Sequence, residues 1–520
     1  MSYRLGVDVG GTNTDAVIVS SDGSVVAKVK RPVTDDVVTS IRIAVREVLS
    51  ASGRSASDIT HAMLGTTQVT NAIIERRNLN RVGVVRIGAP ATLAIPPLTS
   101  WPEDLRRAVD QESIVVRGGF EFDGREIAPL DLDAVADFVD RLRPDISVLA
   151  VSSVFSPVNA DHELAVADLV STRWPDLPVS LSNEIGSIGL LERENATVLN
   201  AAVTDVARRA ASAFRDAVEQ AGIRAELFLT QNDGTLMTLD YAMRYPILTV
   251  ACGLTNSMRG AAYLSGVTEA VVIDVGGTST DVGVIRNGFP RESSMAVEVG
   301  GVRTNFRMPD LISLGLGGGS LVTGDPSSVS VGPRSLGYRL VLEARSFGGG
   351  TLTFTDVANA VGAARIGTHR PEVDADLAQR AYARGIAMVE ESIDRIKTSA
   401  QDVPLVAVGG GSALLPDRLE GVSQVRRPEH YDVANAIGAA IAKVSGRTDR
   451  VYALEGRQRE DVLAEAQTLA EAEAVRAGAD PGLLEVVQVE EIPLAYMPGN
   501  ATRVRVVVVG PLAAPKSTLG

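Results

Sequence analysis

The sequence predicts an α/β protein in which two lobes face each other across a cleft, with a small α+β appendage at the C-terminal end. Three observations lead there. A chain of 520 residues exceeds what a single hydrophobic core usually accommodates. One eight-residue motif occurs twice, near the start and again past the middle. Strand-like apolar runs alternate with segments of helical periodicity, the pattern of an α/β layer.

The motif comes first. Residues 8–15 read Asp-Val-Gly-Gly-Thr-Asn-Thr-Asp and residues 274–281 read Asp-Val-Gly-Gly-Thr-Ser-Thr-Asp, identical at seven of eight positions. Apolar runs flank each copy, so each reads as strand, glycine turn, strand. The turn glycines Gly10 and Gly11, and likewise Gly276 and Gly277, can point successive backbone N–H groups into one concavity, which is an anion site. Thr12, Asn13 and Thr14, with Thr278, Ser279 and Thr280, add side-chain donors around it. Asp8 and Asp274 close the entering strands and can hold Mg²⁺ directly or through its waters, because that ion takes few carboxylates. Two such hairpins clasp a polyphosphate from both sides. Asp15 and Asp281 either orient water or Mg²⁺, or close the turn through backbone hydrogen bonds.

Further glycine clusters suit the same site. Residues 403–412 form a buried strand leading into Gly409-Gly410-Gly411-Ser412, where a flat heterocycle can stack because no Cβ intervenes. The run containing Gly317 and Gly318 reads either as a phosphate loop or as a chain crossing. No G-x-x-x-x-G-K-[ST] motif is present. Thr66, Thr67 and Asn71 follow an apolar segment and open a helix. Their side chains either bind a transferred phosphate or a substrate carbonyl, or serve as a helix cap. Asn232, Asp233 and Gly234 make a strand-end turn open to the same reading, and Arg303 and Arg334 are candidate anion clamps.

Composition removes several alternatives. Lys and Arg number 50 against 64 Asp and Glu, a net charge of −14, which disfavours nucleic acid as a partner. The single cysteine, Cys252, excludes an intrachain disulfide and a zinc site of several thiolates; its apolar setting predicts a buried, unreactive thiol. The four histidines show no ligand spacing. No apolar run has the length of a membrane helix, and the N-terminus leads directly into a strand, so the expectation is a cytoplasmic protein without membrane contact.

The paired hairpins and the Gly-Gly-Gly-Ser turn resemble the actin, hexokinase and heat-shock-chaperone ATPase superfamily. Within it, the chain resembles the A-type subunits of the hydantoinase/oxoprolinase family. The resemblance continues through Leu64-Gly65-Thr66-Thr67, Thr70-Asn71-Ala72, Glu75-Arg76, Glu192-Arg193-Glu194-Asn195 and Leu199-Asn200. It extends over Thr230-Gln231-Asn232-Asp233-Gly234, residues 315–320 and Val331-Gly332-Pro333-Arg334-Ser335, so it runs from residue 3 to about 445. Larger members have a histidine where Leu64 stands, a Gly-Pro-Ala-Cys-Tyr segment where this chain has Gly337-Tyr338-Arg339-Leu340, and a longer C-terminal extension. The chain thus resembles a short branch.

The resemblance implies ATP and Mg²⁺ in the cleft, with Asp8 and Asp274 at the metal and Asp8, Asp274, Thr66, Thr67 and Asn71 in catalytic roles. It implies ATP-dependent opening of a cyclic amide, hydantoin, imide or 5-oxoproline-like lactam by phosphorylation of the carbonyl oxygen. It also implies a homo-oligomer or a complex with a second hydantoinase subunit. Two other functions fit the hairpins: a sugar- or pantothenate-type kinase, which needs a carboxylate base at the substrate hydroxyl, and an activase-like ATP-driven regulator. The lone cysteine opposes activases built on an iron–sulfur cluster, since a homodimer supplies two thiolates.

Along the chain, the expected organisation is an N-terminal lobe over 1–187, a C-terminal lobe over 188–446 and an α+β appendage over 447–520. The N-terminal lobe holds the first hairpin, a third strand at 25–30, helices at 34–52, 130–143 and 159–173, and a buried strand at 147–154. A long helix over 188–222, ended by Gly222, is placed to link the lobes. Helices near 256, at 376–398 and at 433–445 belong to the second lobe. The appendage has a charged helix at 458–477 and two strands, 484–492 and 501–509, joined across Met497-Pro498-Gly499-Asn500.

Overall fold

The computed structural model describes residues 2–513, apart from 35, 187, 294–296, 306–307 and 496–498. Both predicted hairpins form. Tyr3–Val9 pairs antiparallel with Asn13–Ser20, placing Asp8 opposite Asp15. Ala270–Val275 pairs antiparallel with Thr280–Arg286, placing Asp274 opposite Asp281. Gly10 donates to the Asn13 carbonyl at 3.0 Å and Gly276 to the Ser279 carbonyl at 2.9 Å, so the two turns close identically.

Each hairpin anchors its own sheet. The first belongs to a nine-stranded sheet ordered, from one edge, Glu485–Pro493, Thr502–Gly510, Val444–Tyr452, Leu236–Thr238, Glu226–Thr230, Ile59–Thr66, Tyr3–Val9, Asn13–Ser20 and Val25–Pro32. The second sits in a six-stranded sheet with Val403–Val408 and Val422–Arg426 on one side and Phe289–Pro290 and Leu311–Leu314 on the other. A four-stranded parallel sheet, Asp110–Arg117, Val82–Ala89, Val148–Ser153 and Val179–Leu181, is inserted between the helix Gln68–Glu75 and the long helix Leu190–Gln220. The architecture is thus two-lobed and α/β, each lobe built on one copy of the hairpin.

Sheet membership does not follow the expected sequence limits. Glu226–Thr230 and Leu236–Thr238 lie in the first hairpin's sheet, and the C-terminal α+β segment completes that same sheet as its far edge. Strand Thr502–Gly510 is almost wholly buried and packs under the amphipathic helix Arg459–Arg476, whose Val462, Ala466, Ala470 and Ala474 are fully covered. Of the expected connection between the last two strands, residues 496–498 lie outside the described residues, and the Gly499 carbonyl accepts from Leu454 N at 2.9 Å.

The long helix Leu190–Gln220 packs on Val37–Ser52, Gln68–Glu75 and Val148–Ser153, so it ties the parallel sheet to the first lobe rather than bridging the two hairpin sheets. The helix expected over 433–445 is shorter, Ala434–Ile441, because Val444 already begins a strand. The lobes meet through this helix and Cys252–Ser265. A Cβ on Gly260 would lie 1.9 Å from the Ala434 carbonyl oxygen, and one on Gly438 1.9 Å from that of Asn256, so the backbones touch. Ala434–Ile441 packs on the first hairpin's strands and Cys252–Ser265 on the second lobe.

Candidate functional site

The two hairpin tips meet between the lobes. Thr12 Oγ1 lies 3.3 Å from Thr278 Oγ1. Four aspartates line this junction, with one lysine from the third strand. Lys30 Nζ lies 2.9 and 2.8 Å from the two Asp15 oxygens and also donates to the Asp432 carbonyl at 3.0 Å.

Asp8 is 3 % exposed; its Oδ2 accepts from Asn435 Nδ2 at 2.8 Å, while Oδ1 is buried with no hydrogen-bond partner. Burial, followed by the Asp15 and Asp274 carboxylates, pushes the Asp8 carboxyl up to about 7. Burial also raises Asp15, opposed by Lys30. It raises Asp274, opposed by the hydrogen bond from Ser257 Oγ. Asp281 is pushed up to about 6, again by burial, against a hydrogen bond from Ser313.

Four acids against one lysine leave the junction anionic, and an orphaned carboxylate oxygen is buried within it. Among the described residues no three His, Cys, Asp or Glu are grouped as a metal site. Mg²⁺ needs no such group, since it takes one or two carboxylates and completes its shell with water and phosphate oxygens. The donor set at Asp8 and Asp274 therefore fits that ion.

Thr66 and Thr67 are carried to this site by strand register: Ile59–Thr66 runs parallel to Tyr3–Val9 with Gly65 opposite Asp8. Only glycine fits there, because a Cβ would lie 2.4 Å from Asp8 Oδ1 and 2.5 Å from Asn256 Nδ2. Thr66 Oγ1 accepts from Gln68 N at 3.2 Å, the local capping bond, while Thr67 makes no side-chain cap and its hydroxyl lies 3.4 Å from the Val9 carbonyl. Asn71 is exposed one turn on, with Nδ2 3.4 Å from Thr67 Oγ1. Cys252 Sγ lies 3.4 Å from the Thr66 carbonyl; burial pushes its thiol up to about 11, so it is not a thiolate nucleophile.

The glycine runs divide. Gly409-Gly410-Gly411-Ser412 lies against the second hairpin: a Cβ on Gly409 would sit 2.1 Å from Asp274 Oδ1, and one on Gly410 3.3 Å from Lys30 Cε. The Ser412 hydroxyl is buried without a partner, as is that of Thr14. Gly317 and Gly318 instead form a chain crossing. Gly317 N donates to Ser320 Oγ at 2.8 Å, Gly318 N to the Gly276 carbonyl at 3.0 Å and Gly319 N to the Gly277 carbonyl at 2.7 Å. Those three donors are committed inside the protein, which leaves the phosphate-loop alternative without them. Thr280 Oγ1 donates to the Leu316 carbonyl at 2.6 Å and supports the same crossing.

Asp233 holds its own turn through Thr235 N at 2.9 Å and pairs with Arg447 at 2.9 Å, away from the four aspartates. Arg303 is largely exposed, 3.9 Å from Glu192, and Arg334 is exposed on Ser330–Ser335. The sequence reading missed Lys30, Asn435, Ser257 and Asn256. Only Lys30 left a trace, since pairing the second and third strands in register sets it opposite Asp15. The other three arrive on helices with no local motif.

Fold and site together define a two-lobed α/β protein with duplicated aspartate hairpins at a shared junction. Residues 4–173 match the hydantoinase/oxoprolinase N-terminal region and residues 193–368 match the hydantoinase/oxoprolinase model, and the chain belongs to that family. It is 27% identical over 390 residues to the caprolactamase subunit alpha of Pseudomonas jessenii, covering 69% of this chain and 54% of the relative. It is 23% identical over 400 residues to the acetone carboxylase beta subunit of Xanthobacter autotrophicus, covering 69% and 54%. The chain spans about half the length of these curated relatives. Among solved structures it is similar to the ATP-dependent caprolactamase of Pseudomonas jessenii, with TM-score 0.77 and 22% identity over 99% of this chain and 88% of that one. A nucleotide-free acetone carboxylase structure matches with TM-score 0.71 and 17% identity, again over 99% and 88%. These likenesses bear on the fold.

Proposed function

We propose that this protein is an ATP-dependent enzyme that opens a cyclic amide, hydantoin, imide or 5-oxoproline-like lactam by phosphorylating its carbonyl oxygen. The observation that supports this most is the convergence of Asp8, Asp274 and the Thr66-Thr67 turn at one junction, beside a Cys252 thiol that burial keeps protonated. The relatives add a common chemistry: caprolactam and acetone are both carbonyl compounds, and both named reactions depend on ATP.

An amide carbon resists water because nitrogen donates into the carbonyl. Passing the γ-phosphoryl group to the carbonyl oxygen breaks the bond to ADP and forms a C–O–P linkage, which makes the carbon electrophilic. Water then adds, and the C–N bond breaks with a proton going to nitrogen. A second water attacks the acyl carbon of the resulting acyl phosphate, breaking its C–O bond so that inorganic phosphate leaves with the former carbonyl oxygen and the acid is released. The hairpin backbone amides of Gly11 and Gly277 bind phosphate while Gly10 and Gly276 close the turns, the Gly409-Gly410-Gly411-Ser412 turn receives the base, and Thr67 with Asn71 orients the carbonyl. Asp8 and Asp274 would hold Mg²⁺, which neutralises phosphate charge when bound. The complete enzyme works as an oligomer or beside a second subunit, as the relatives' subunit names suggest.

Isotope labelling tests the reading. With ¹⁸O in the substrate carbonyl, turnover should give ADP, ring-opened acid and phosphate in equal amounts, with label in the phosphate. A kinase would leave a stable phosphoester, and a switch ATPase would release phosphate without any ring-opened acid. Ring opening with unlabelled phosphate would exclude this route, in which phosphate leaves from carbon with the former carbonyl oxygen.

A further inference from the structure

A cavity of about 780 Å³ lies where the loops after Val148–Ser153 and Val179–Leu181 face the C-terminal strands. That is the carboxyl end of the four-stranded parallel sheet, where open α/β sheets collect ligands. None of the residues placed at the aspartate junction lines it.

Its lining carries more arginine than acid. Arg447 and Arg505 are braced by Asp233 at 2.9 Å and by Glu292 at 2.9 Å, carboxylates that do not themselves line the cavity. Arg447 also reaches Gln231 Oε1 at 3.3 Å and Arg505 lies 4.0 Å from a Glu490 oxygen, but each guanidinium has five donors and these partners do not use them all. Arg450 lines the same cavity without an ion-pair partner among the described residues. Two orphaned groups complete the set. Tyr452 is 7 % exposed and its hydroxyl makes no hydrogen bond, and Asn183 Oδ1 is buried without a donor. Leaving such groups unpaired is costly, so a ligand that satisfies them gains from doing so. The unmet demand is for an anion accepting from Arg450 and Tyr452 and for an N–H donating to Asn183. A plain inorganic anion meets only the first half.

We propose that this cavity binds a small carboxylate that carries an N–H donor, an amino- or amido-carboxylic acid. An opened cyclic amide is an acid of this class, so under the reading above it is where product collects. Binding is measured without turnover, however, and stands or falls separately from the reaction.

The test is calorimetry on the full chain with 6-aminohexanoate and N-carbamoylglycine as probes, and with sulfate as the plain anion. At least one acid should bind saturably, with affinity reduced at least about tenfold by Arg450→Ala, the loss of a charge-assisted contact. Tyr452→Phe and Asn183→Leu should also weaken it; the first removes only an unpartnered hydroxyl, and a thermal melt checks that the fold is kept. Absence of binding by both acids up to millimolar concentration overturns the proposal. So does sulfate binding as tightly as the acids, or affinity unchanged in all three variants.

Discussion

Thr12 and Thr278, equivalent positions of two hairpins separated by 266 residues, meet hydroxyl to hydroxyl at 3.3 Å. Gly277 makes the approach possible, since a Cβ there would stand 2.7 Å from Thr12 Cγ2. The duplicated motif is therefore also a contact between the lobes.

Asp274→Asn removes a charge from the junction while keeping its size and its bond to Ser257. Turnover of ATP in the complete enzyme should drop about 10²-fold or more, the usual scale for one electrostatic contribution. Steady-state ADP release measures it, and activity equal to wild type would remove Asp274 from the metal site.

Gly409→Ala should act on the same carboxylate without touching charge. Its Cβ would lie 2.1 Å from Asp274 Oδ1, and the residue holds a φ of +81° that alanine rarely adopts. Nucleotide affinity should weaken with the fold retained, as read by nucleotide titration beside circular dichroism. Unaltered affinity would show that Asp274 can shift freely.

The buried acids predict an unusual pH dependence. Asp8 has a folded pKa of about 7 against an ordinary 3.8, so the folded state binds the extra proton between those values. Its contribution to stability is complete below about pH 3.8 and lost as pH rises through about 7. Asp281, at about 6, acts with the same sign. The melting temperature of the nucleotide-free protein relative to that of Asp8→Asn should therefore fall from about pH 5.5 to about pH 8. A constant difference between the two proteins would contradict the raised pKa.

Glu194→Gln tests the motif 192–195 as structure. Arg86 and Glu194 are 0 and 1 % exposed and paired at 2.6 Å, with Ser152 Oγ adding a bond to the carboxylate at 3.0 Å. Removing one partner of a buried pair costs about 3–5 kcal/mol. Urea unfolding should show that loss, and a change under about 1 kcal/mol would mean that the pair is solvated.

Deleting everything after Ser445 should unfold the first lobe rather than release a free appendage. Val504, Val506 and Val508 are core residues next to Val444, and their strand pairs along the whole of Val444–Tyr452. A soluble, cooperatively melting truncation would contradict this.

The sequence by itself determined the hairpins, the aspartates at their strand ends and the glycine turns. These are local: a two-residue periodicity and a glycine tip specify strand, turn and facing residue within about a dozen positions. It also determined most helices to within a few residues, from apolar spacing and from Gly222 as a stop. Only the tertiary structure decided that residues 226–238 and 444–510 complete the first hairpin's sheet, because strand partners far apart in the chain leave no local signature. It alone decided that Gly318 and Gly319 spend their N–H groups on hairpin carbonyls and Gly317 its own on Ser320, and that Asn435 and Ser257 reach Asp8 and Asp274. A glycine shows that something comes close, but what comes close is set by the packing of distant segments.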